Sequence, residues 1–375
     1  MVHGGGDILD WINWTDRAWK KLSDSTLDNS DIIKSFLCAR IMSEGRPKSA
    51  AISIQWGDTA MLTDEERVVI FIGDREHRLS QVDLRIDEFS EDGPILFSVC
   101  ADDITSSYQL VYDRDTNKSV VFRYEKLSDI TVRIKFGARE AESLEDYARR
   151  DPFVVIYADG SRSYNQFIVD NPAAIGLFDT DRIIPIDWVA DGVDIRVESQ
   201  GPGQNPSSIQ NRMVRYCRDD YEIVFDDDGS GEAGDLVCLR NDRPSNSIEI
   251  LLVHCKFSLA DSAGARVKDL YEVSGQAQKC IHWKHNGFTK LVTHMKSREE
   301  KWRVRGNSRF LKGDLAHLSV LKDVARKAKT RLEVWIVQPG VSKRAVTNSM
   351  RLLLGATDEY LSQTSNAHLK VFSSP

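Results

Sequence analysis

The spacing of apolar residues changes along the chain and divides it into segments of different predicted secondary structure. Residues 7–43 carry apolar side chains at near-helical intervals, so the pattern predicts helices there. The first helix is marked by Trp11, Trp14, Trp19 and Leu22, and the second runs from Ile32 to Met42 behind Asp31 as its cap. We interpret the tryptophans as core residues rather than as a platform on which bases stack.

Between residues 50 and 136, short apolar runs alternate with polar turns, a pattern typical of antiparallel strands in a sandwich or barrel. The predicted strands are Ala51–Trp56, Val68–Ile72, Ile95–Val99, Ser107–Val111, Ser119–Tyr124 and Ile130–Ile134. A weak helical pattern follows over Glu140–Arg149. Phe153–Tyr157 and Tyr164–Ile168 then predict a hairpin around Asp159 and Gly160.

The second half of the chain alternates helical and strand-like patterns. Ser199–Pro206 is rich in glycine and proline, which indicates a linker or a domain entry. The elements predicted beyond it, in the order α-β-β-β-α-β, are a helix over Ser207–Cys217, strands over Tyr221–Phe225, Asp235–Leu239 and Ile248–Lys256, a helix over Ala265–Lys284 and a strand over Leu332–Gln338. The pattern therefore predicts an α/β protein with N-terminal helices over 1–45, a β-rich docking or regulatory domain over 46–150, a connecting segment over 151–200 and an α/β domain over 201–375.

Charge is distributed unevenly along the chain. The formal net charge of the 375 residues is −7. Between Ala265 and Arg331 there are 17 Lys and Arg against 6 Asp and Glu, a local balance of +11 that leaves −18 for the rest. A basic segment in an acidic protein is typical of a phosphate-binding surface, although a pair of solvated helices would show the same balance.

Other features of the sequence limit the class of protein. No run approaches the ~18–20 apolar residues needed to span a bilayer, and residues 1–10 lack the pattern of a secretory signal. None of the cysteines lies in a C-x-x-C pair, which favours buried thiols in a reducing compartment. We therefore expect a cytoplasmic protein without membrane contact. The sequence contains no Walker A loop, so we expect no P-loop ATPase in this chain.

Three residues at the ends of two predicted strands are candidates for chemistry. Lys256 ends an apolar strand, where a lysine is unusual unless it is paired or functional. Side chains two residues apart on a strand project from one face, so His254 and Lys256 both point toward Asp235 across the hairpin. A carboxylate can hold a divalent cation against a phosphate, and a lysine can orient the attacking hydroxide. The alternatives are a turn aspartate and a hydrogen-bonded core histidine.

This element order, with Asp235 on one strand and the pair His254 and Lys256 on the next, resembles the core of PD-(D/E)xK nucleases. The resemblance implies a restriction-endonuclease-like fold for the C-terminal domain, Mg²⁺ or Mn²⁺ bound by Asp235 and His254, and Lys256 as the residue that assists the hydroxide. The family normally places an acid where His254 stands, and imidazole suits Mn²⁺ better than Mg²⁺. Glu232 can supply a further carboxylate from the glycine-rich turn, whereas Glu249 points to the other face of the strand.

The same resemblance implies roles for residues on the neighbouring helices. Related nucleases carry a Gln near the active centre on the helix after the catalytic strand, and Gln276 is the matching position, where it would hold water or a phosphate oxygen. Lys279 lies at i+3 on the same helix face and would neutralise phosphate. Gln210 lies on the first helix, where some relatives place an acid. The run Asp226–Asp228 is interpreted as a solvated turn without a metal.

Longer stretches resemble the C-terminal region of large bacterial DEAD/DEAH-type helicase proteins of phage defence and restriction. These stretches are Phe153–Tyr164, Asp226–Asp235, His254–Ser258, Gly264–Lys279 and Val334–Lys343. The resemblance covers roughly residues 150–375, and the helicase motors are absent from the sequence. It implies a part in anti-phage defence, with a helicase or ATPase on a separate chain as the protein partner.

The leading hypothesis from the sequence is a metal-dependent DNA endonuclease, with the basic segment from Lys284 to Arg331 following the DNA backbone. The residues expected to make these contacts are Arg303, Arg305 and Arg309, with Trp283, Trp302 and Phe310 interleaved. The alternative is a non-catalytic subunit that binds DNA or a protein partner on a degenerate nuclease fold. The acidic β-rich domain would cover the basic surface until a trigger releases it.

Overall fold

The computed structural model describes residues 39–375 except 44, 64–66, 117–118, 171–175, 282 and 284–286, together with residues 11–13, 15–16, 19–20 and 23. Residues 11–13 are helical, as predicted. Trp11 and Trp19 are 56% and 69% exposed, so the prediction that they belong to a core is wrong. Trp14, Leu22 and most of the second predicted helix lie outside the described residues. The predicted end of that helix at Met42 is wrong, because Ala39–Ile41 form a strand that pairs with residues 167–169.

The first half of the chain forms small antiparallel sheets, and the strands predicted between residues 50 and 136 are confirmed with ends that shift by up to three residues. The predicted strand Tyr164–Ile168 is wrong, because it spans the end of one strand, a turn at residues 165 and 166 and the start of the next strand. The strands are β1 (Ala39–Ile41), β2 (Ala51–Gln55), β3 (Val68–Ile72), β4 (Arg75–Arg78), β5 (Asp83–Ile86), β6 (Ile95–Ala101), β7 (Ile104–Arg114), β8 (Val120–Lys126), β9 (Val132–Phe136), β10 (Glu142–Ser143), β11 (Val154–Tyr157), β12 (Arg162–Tyr164) and β13 (Phe167–Val169). The helices are α1 (Asp58–Leu62) and α2 (Leu144–Arg150). Their sheets have the orders β1-β13-β12-β11-β2, β10-β9-β3-β4 and β5-β6-β7-β8.

Strands β11 to β13 belong to the same sheet as β1 and β2, so the hairpin predicted after residue 150 completes an N-terminal sheet. One aromatic-rich core lies beneath these sheets, where Phe97, Tyr124 and Phe153 pack edge to face. We refer to residues 39–170 as the N-terminal half. Five of the six cysteines lie in the described residues, and each is a buried free thiol, while Cys38 lies outside them.

The second half of the chain forms one mixed sheet with helices on both faces. Its elements are β14 (Ile183–Pro185), α3 (Ile209–Cys217), β15 (Ile223–Asp226), β16 (Leu236–Asp242), β17 (Ser247–Cys255), α4 (Lys268–Lys279), α5 (Phe288–Arg303), β18 (Phe310–Lys312), α6 (Leu315–Ala325), β19 (Lys329–Ser342), α7 (Asn348–Ser365) and β20 (His368–Ser374). The sheet order is β14-β20-β19-β17-β16-β15-β18. The predicted α-β-β-β-α-β order is present as α3-β15-β16-β17-α4-β19, with α5, β18 and α6 inserted before β19.

The central strand β17 shows why this sheet needs a helical layer on each side. Ile250 and Leu252 point into the core beneath α4 and α7, whereas Leu251 and Val253 point toward α3 on the opposite face. A strand buried on both faces reads as a continuous apolar run, and a parallel partner requires a crossover helix. Helix α4 begins the long connection between β17 and β19, which pair in parallel. Every helix in the described part of the chain is too short or too polar to cross a lipid bilayer.

The N-terminal half packs directly against α4 and the turn between β15 and β16. A Cβ added at Gly275 would lie 2.1 Å from the carbonyl oxygen of Ile52, and one at Gly231 would lie 2.1 Å from that of Ser80. Ile52 belongs to the same hydrophobic core as the helices of the second half. The N-terminal half is therefore part of one packed structure, and its removal would expose the core beside α4.

Candidate metal centre

The hairpin of β16 and β17 places a carboxylate and an imidazole opposite each other. Leu236 pairs with Val253, so the next pair outward along the ladder is Asp235 and His254. Asp235 Oδ2 accepts a 2.7 Å hydrogen bond from the backbone N–H of Cys255, which fixes the carboxylate at the strand end. One ligand atom each of Glu232, Asp235 and His254 lies within 4.8 Å of the others. The three side chains form what we call the metal cluster.

His254 is a buried imidazole that could serve as a metal ligand. The side chain is 2% exposed, and neither ring nitrogen has a hydrogen-bond partner within the described part of the chain. A buried polar group without a partner costs about 1–3 kcal/mol, so proteins rarely retain one without a function. Burial lowers the pKa of His254 to about 3. The imidazole is therefore neutral at physiological pH, which is the form that ligates metals.

The two carboxylates of the cluster complete an oxygen and nitrogen donor set. Burial raises the pKa of Asp235 well above its ordinary value, and the neighbouring Glu232 and Asp228 raise it further. Burial and Asp228 raise the pKa of Glu232 in the same way. A divalent cation would offset this concentration of negative charge and stabilise the ionised carboxylates. Two carboxylates and one imidazole suit Mn²⁺ and similar ions better than Mg²⁺, whose preferred ligands are all oxygens.

Gln276 lies beside the metal cluster. Its Nε2 lies 3.4 Å from Glu232 Oε1, while its own Oε1 is buried without a hydrogen-bond partner among the described residues. Glu232 Oε2 accepts a 2.8 Å hydrogen bond from the N–H of Gly229. The structure thus brings Gln276, Glu232, Asp235 and His254 together and leaves an acceptor oxygen of Gln276 available to a water molecule.

Lys256 is held by two carboxylates that the sequence analysis missed. Its Nζ lies 2.9 Å from a carboxylate oxygen of Glu272 and 3.3 Å from Glu198. Burial lowers the pKa of Lys256, but Glu272 and Glu198 outweigh that effect and leave the pKa above its ordinary value. Lys256 therefore remains a cation at neutral pH. Glu272 lies one helical turn before Gln276 on α4, a spacing that could have identified it, whereas Glu198 lies in an irregular segment without a motif.

Gln210 supports the metal cluster from α3 without belonging to it. Its Nε2 donates to the backbone carbonyl of Asp235 at 3.1 Å, and its Oε1 accepts from the N–H of Gln200 at 2.8 Å. Ser208 caps the helix by accepting a hydrogen bond from the N–H of Asn211. The first turn of α3 therefore positions the backbone that carries Asp235.

The turn before Asp235 is braced from α5, and the interpretation of Asp226–Asp228 as a solvated turn is wrong. Asp227 is fully buried, with Oδ1 2.6 Å from Arg298 Nε and Oδ2 2.9 Å from His294 Nε2. Burial alone would raise the pKa of Asp227, but Arg298 and His294 hold it below its ordinary value. Arg298 also donates to the backbone carbonyls of Asp227, Asp228 and Ser230 at 2.7 to 2.9 Å.

Several residues expected to contact DNA have other positions. Lys279 Nζ bonds to Asp83 and to the carbonyl of Leu84 in the N-terminal half, so the prediction of a free phosphate contact is wrong. Arg309 is 7% exposed and donates to the carbonyls of Asp226 and Asp228, because the turn needs donors for its inward carbonyls.

The aromatic residues between these cations are also largely structural. Trp283 is 4% exposed, and Phe310 packs edge to face on Phe225 with ring centroids 5.0 Å apart. Arg303 pairs with Glu299 at 2.7 Å, although its side chain remains 58% exposed. Arg305 is exposed, and Lys284 lies outside the described residues.

Comparison with known protein families, with curated proteins and with solved structures finds no match to this chain. We therefore infer the function from the metal cluster and from Lys256.

Proposed function

We propose that this protein is a divalent-metal-dependent endonuclease that hydrolyses DNA phosphodiester bonds, built on a PD-(D/E)xK-type core. The observation that carries the proposal is the cluster of Glu232, Asp235 and His254, with a buried, unpartnered imidazole, at the end of the strand that leads into Lys256. Buried carboxylates of raised pKa next to an unpaired imidazole are typical of a metal or catalytic site rather than of a core.

The residues divide into binding and positioning roles. Glu232, Asp235 and His254 would hold a divalent ion, which when bound supplies Lewis acidity and a water of lowered pKa. Lys256, kept protonated by Glu198 and Glu272, would stabilise negative charge on an attacking hydroxide or a phosphate oxygen rather than remove a proton.

Gln276 completes the proposed site from α4. Its unpartnered Oε1 can accept a hydrogen bond from the attacking water and orient it toward the phosphate. The carboxamide cannot compete with the carboxylates for a proton, so its role is positioning.

The biological setting is proposed from the resemblance to phage-defence helicase proteins. The nuclease would act on foreign DNA, with a helicase or ATPase on a separate chain as its partner. A reducing, cytoplasmic setting fits the buried free thiols, such as Cys217 and Cys238.

Cleavage assays test the proposal. Purified protein is incubated with plasmid and with single-stranded DNA in Mg²⁺, Mn²⁺ or EDTA, beside Lys256→Ala. We expect cleavage with metal, faster in Mn²⁺ because of His254, and none in EDTA. Lys256→Ala should lower the rate at least about 100-fold, because the transition state loses a buried cation. Arg139→Ala, which removes an exposed cation outside the basic segment, should cleave like the wild type.

A second candidate function is a non-catalytic subunit that binds DNA or a partner protein. It is favoured by the ion pairs of Lys256 with Glu198 and Glu272, which neutralise the lysine in this conformation. This candidate predicts DNA binding without cleavage in either metal, including in the presence of the partner chain, and no effect of Lys256→Ala on binding.

A further inference from the structure

A cavity of about 240 Å³ lies between the N-terminal half and helix α5. Arg78 lines it from β4, and Lys301 and Arg305 line it from the end of α5 and the segment beyond. Ser230 and Arg298 complete the wall on the side of the β15–β16 turn. The cavity is therefore composite, with walls from two parts of the chain that are far apart in sequence.

Three exposed cations of this cavity differ from basic residues of the second half that a carboxylate already neutralises. Lys279 and Arg303 are neutralised by Asp83 and Glu299. In contrast, Arg78, Lys301 and Arg305 are exposed and form no ion pair with an acidic side chain in the described part of the chain. Among the described residues that line the cavity, Asp102 alone is acidic. The net charge of the lining is therefore positive. Convergent, unneutralised cations of this kind attract anions.

The donors of the cavity match phosphate oxygens. Guanidinium groups bind phosphate through paired N–H donors, a lysine adds a compact charge, and the hydroxyl of Ser230 adds a neutral donor. The volume is smaller than the ~300–1,000 Å³ of pockets that enclose drug-sized ligands. It suits one or two phosphate groups better than a complete nucleotide.

The cavity also adjoins the metal cluster. Gly229 and Ser230 in its wall belong to the same turn as Glu232, and Arg298 holds the carbonyls of that turn from the side of the cavity. A phosphate in the cavity would therefore lie close to a scissile phosphodiester bond at the metal cluster. Neighbouring phosphates of one DNA strand lie close together in the same way.

We propose that this cavity binds phosphate groups of the DNA strand held at the metal cluster, so that the N-terminal half forms part of the substrate site through Arg78. The naming of DNA rests on the proposed function, whereas phosphate binding does not. The inference replaces the expectation that the acidic β-rich domain only covers the basic surface, because this domain itself supplies a cation to the cavity. A free nucleotide carries the same phosphate chemistry, and the experiment below separates the two sources.

The test measures binding of labelled single-stranded and duplex DNA by fluorescence anisotropy in EDTA, where cleavage cannot occur. Arg78→Glu and the double variant Lys301→Glu/Arg305→Glu are compared with Lys48→Glu/Arg139→Glu. This control pair changes the net charge as the double variant does, but its two exposed residues lie outside the cavity and outside the basic segment. We expect the double variant to bind DNA at least about 10-fold more weakly and to reduce the salt dependence by about one phosphate contact per cation removed. Arg78→Glu should weaken binding several-fold, and the control pair by less than about 2-fold.

The outcomes separate the sources of the phosphate. Pyrophosphate should displace DNA from the wild type but not from the double variant. This result would support the assignment of the cavity to phosphates of the DNA strand. If pyrophosphate and ATP binding fall in the variants while DNA binding is unchanged, the cavity serves a free nucleotide and the strand assignment is overturned. If the cavity variants and the control pair lose DNA affinity equally, DNA responds only to the overall charge of the protein. That result would overturn the assignment of the cavity as a phosphate site. Because binding is read without metal, failure of cleavage would not imitate any of these results.

Discussion

Replacing Asp235 with asparagine is expected to abolish metal-dependent cleavage while making the metal-free protein more stable at pH 8. Asparagine keeps an oxygen that can accept the hydrogen bond from the N–H of Cys255 but cannot supply a negative charge to a cation. Loss of several kcal/mol of metal-derived stabilisation corresponds to a rate reduction of at least about 10³-fold. A plasmid cleavage assay in Mn²⁺ measures this effect.

The gain in stability follows from the raised pKa of Asp235. A carboxyl group whose pKa is higher in the folded than in the unfolded state contributes stability below the unfolded value, and this is lost as pH rises through the folded value. At pH 8 without metal, the buried carboxylate therefore costs stability that asparagine would restore. Thermal unfolding in EDTA at pH 5 and pH 8 should show the variant more stable than the wild type only at the higher pH.

Asp323→Asn is the matched control for this experiment, because the side chain of Asp323 is 72% exposed and lies far along the chain from the cluster. It should change neither cleavage nor the pH dependence of unfolding. Wild-type cleavage by Asp235→Asn would contradict the assignment of Asp235, and a variant less stable than the wild type at pH 8 would contradict the account of its buried charge.

The largest effect on folding is expected for Arg298→Ala. The guanidinium pairs with the fully buried Asp227 and donates to the carbonyls of Asp227, Asp228 and Ser230. Removing one partner of a buried ion pair leaves an uncompensated charge and typically costs about 3–5 kcal/mol. Urea unfolding should therefore show a decrease in the free energy of unfolding of that size, and the metal cluster should loosen because the same turn carries Glu232.

Two companions sharpen the Arg298 prediction. Arg326→Ala, which removes a guanidinium that is 74% exposed, should change the free energy of unfolding by less than about 0.5 kcal/mol. Asp227→Asn combined with Arg298→Ala should cost less than the sum of the single changes, because the two groups stabilise each other. A loss below about 1 kcal/mol for Arg298→Ala alone would show that the brace is unimportant.

Local patterns were sufficient to predict the centre of the candidate site. Two-residue periodicity placed His254 on the strand face of Asp235, and the glycine-rich turn explained how Glu232 could reach them. The order of the elements α3, β15, β16, β17 and α4 along the chain also followed from apolar runs and their lengths. These features depend on residues close in sequence or on the simplest hairpin pairing, which is why a single sequence reveals them.

Features that depend on distant parts of the chain were not predictable in the same way. The count of basic residues could not show that Lys279 is neutralised by Asp83 or that Arg309 is buried beneath the turn. Glu198 approaches Lys256 from an irregular segment, so no periodic signal marks it. Strand β4 was missed because three of its four residues are exposed, and with it Arg78 as a wall of the cavity.

The central claim is that Glu232, Asp235 and His254 bind a divalent cation, and a Mn²⁺ titration tests it most directly. Metal-stripped protein is titrated with Mn²⁺ and followed by calorimetry and by the loss of the free-ion paramagnetic resonance signal, beside His254→Ala. The account predicts saturable binding at one site per chain, with affinity at least about 10-fold weaker in the variant, because one ligand is lost. Absence of saturable binding in the wild type, or equal affinity in His254→Ala, would contradict it.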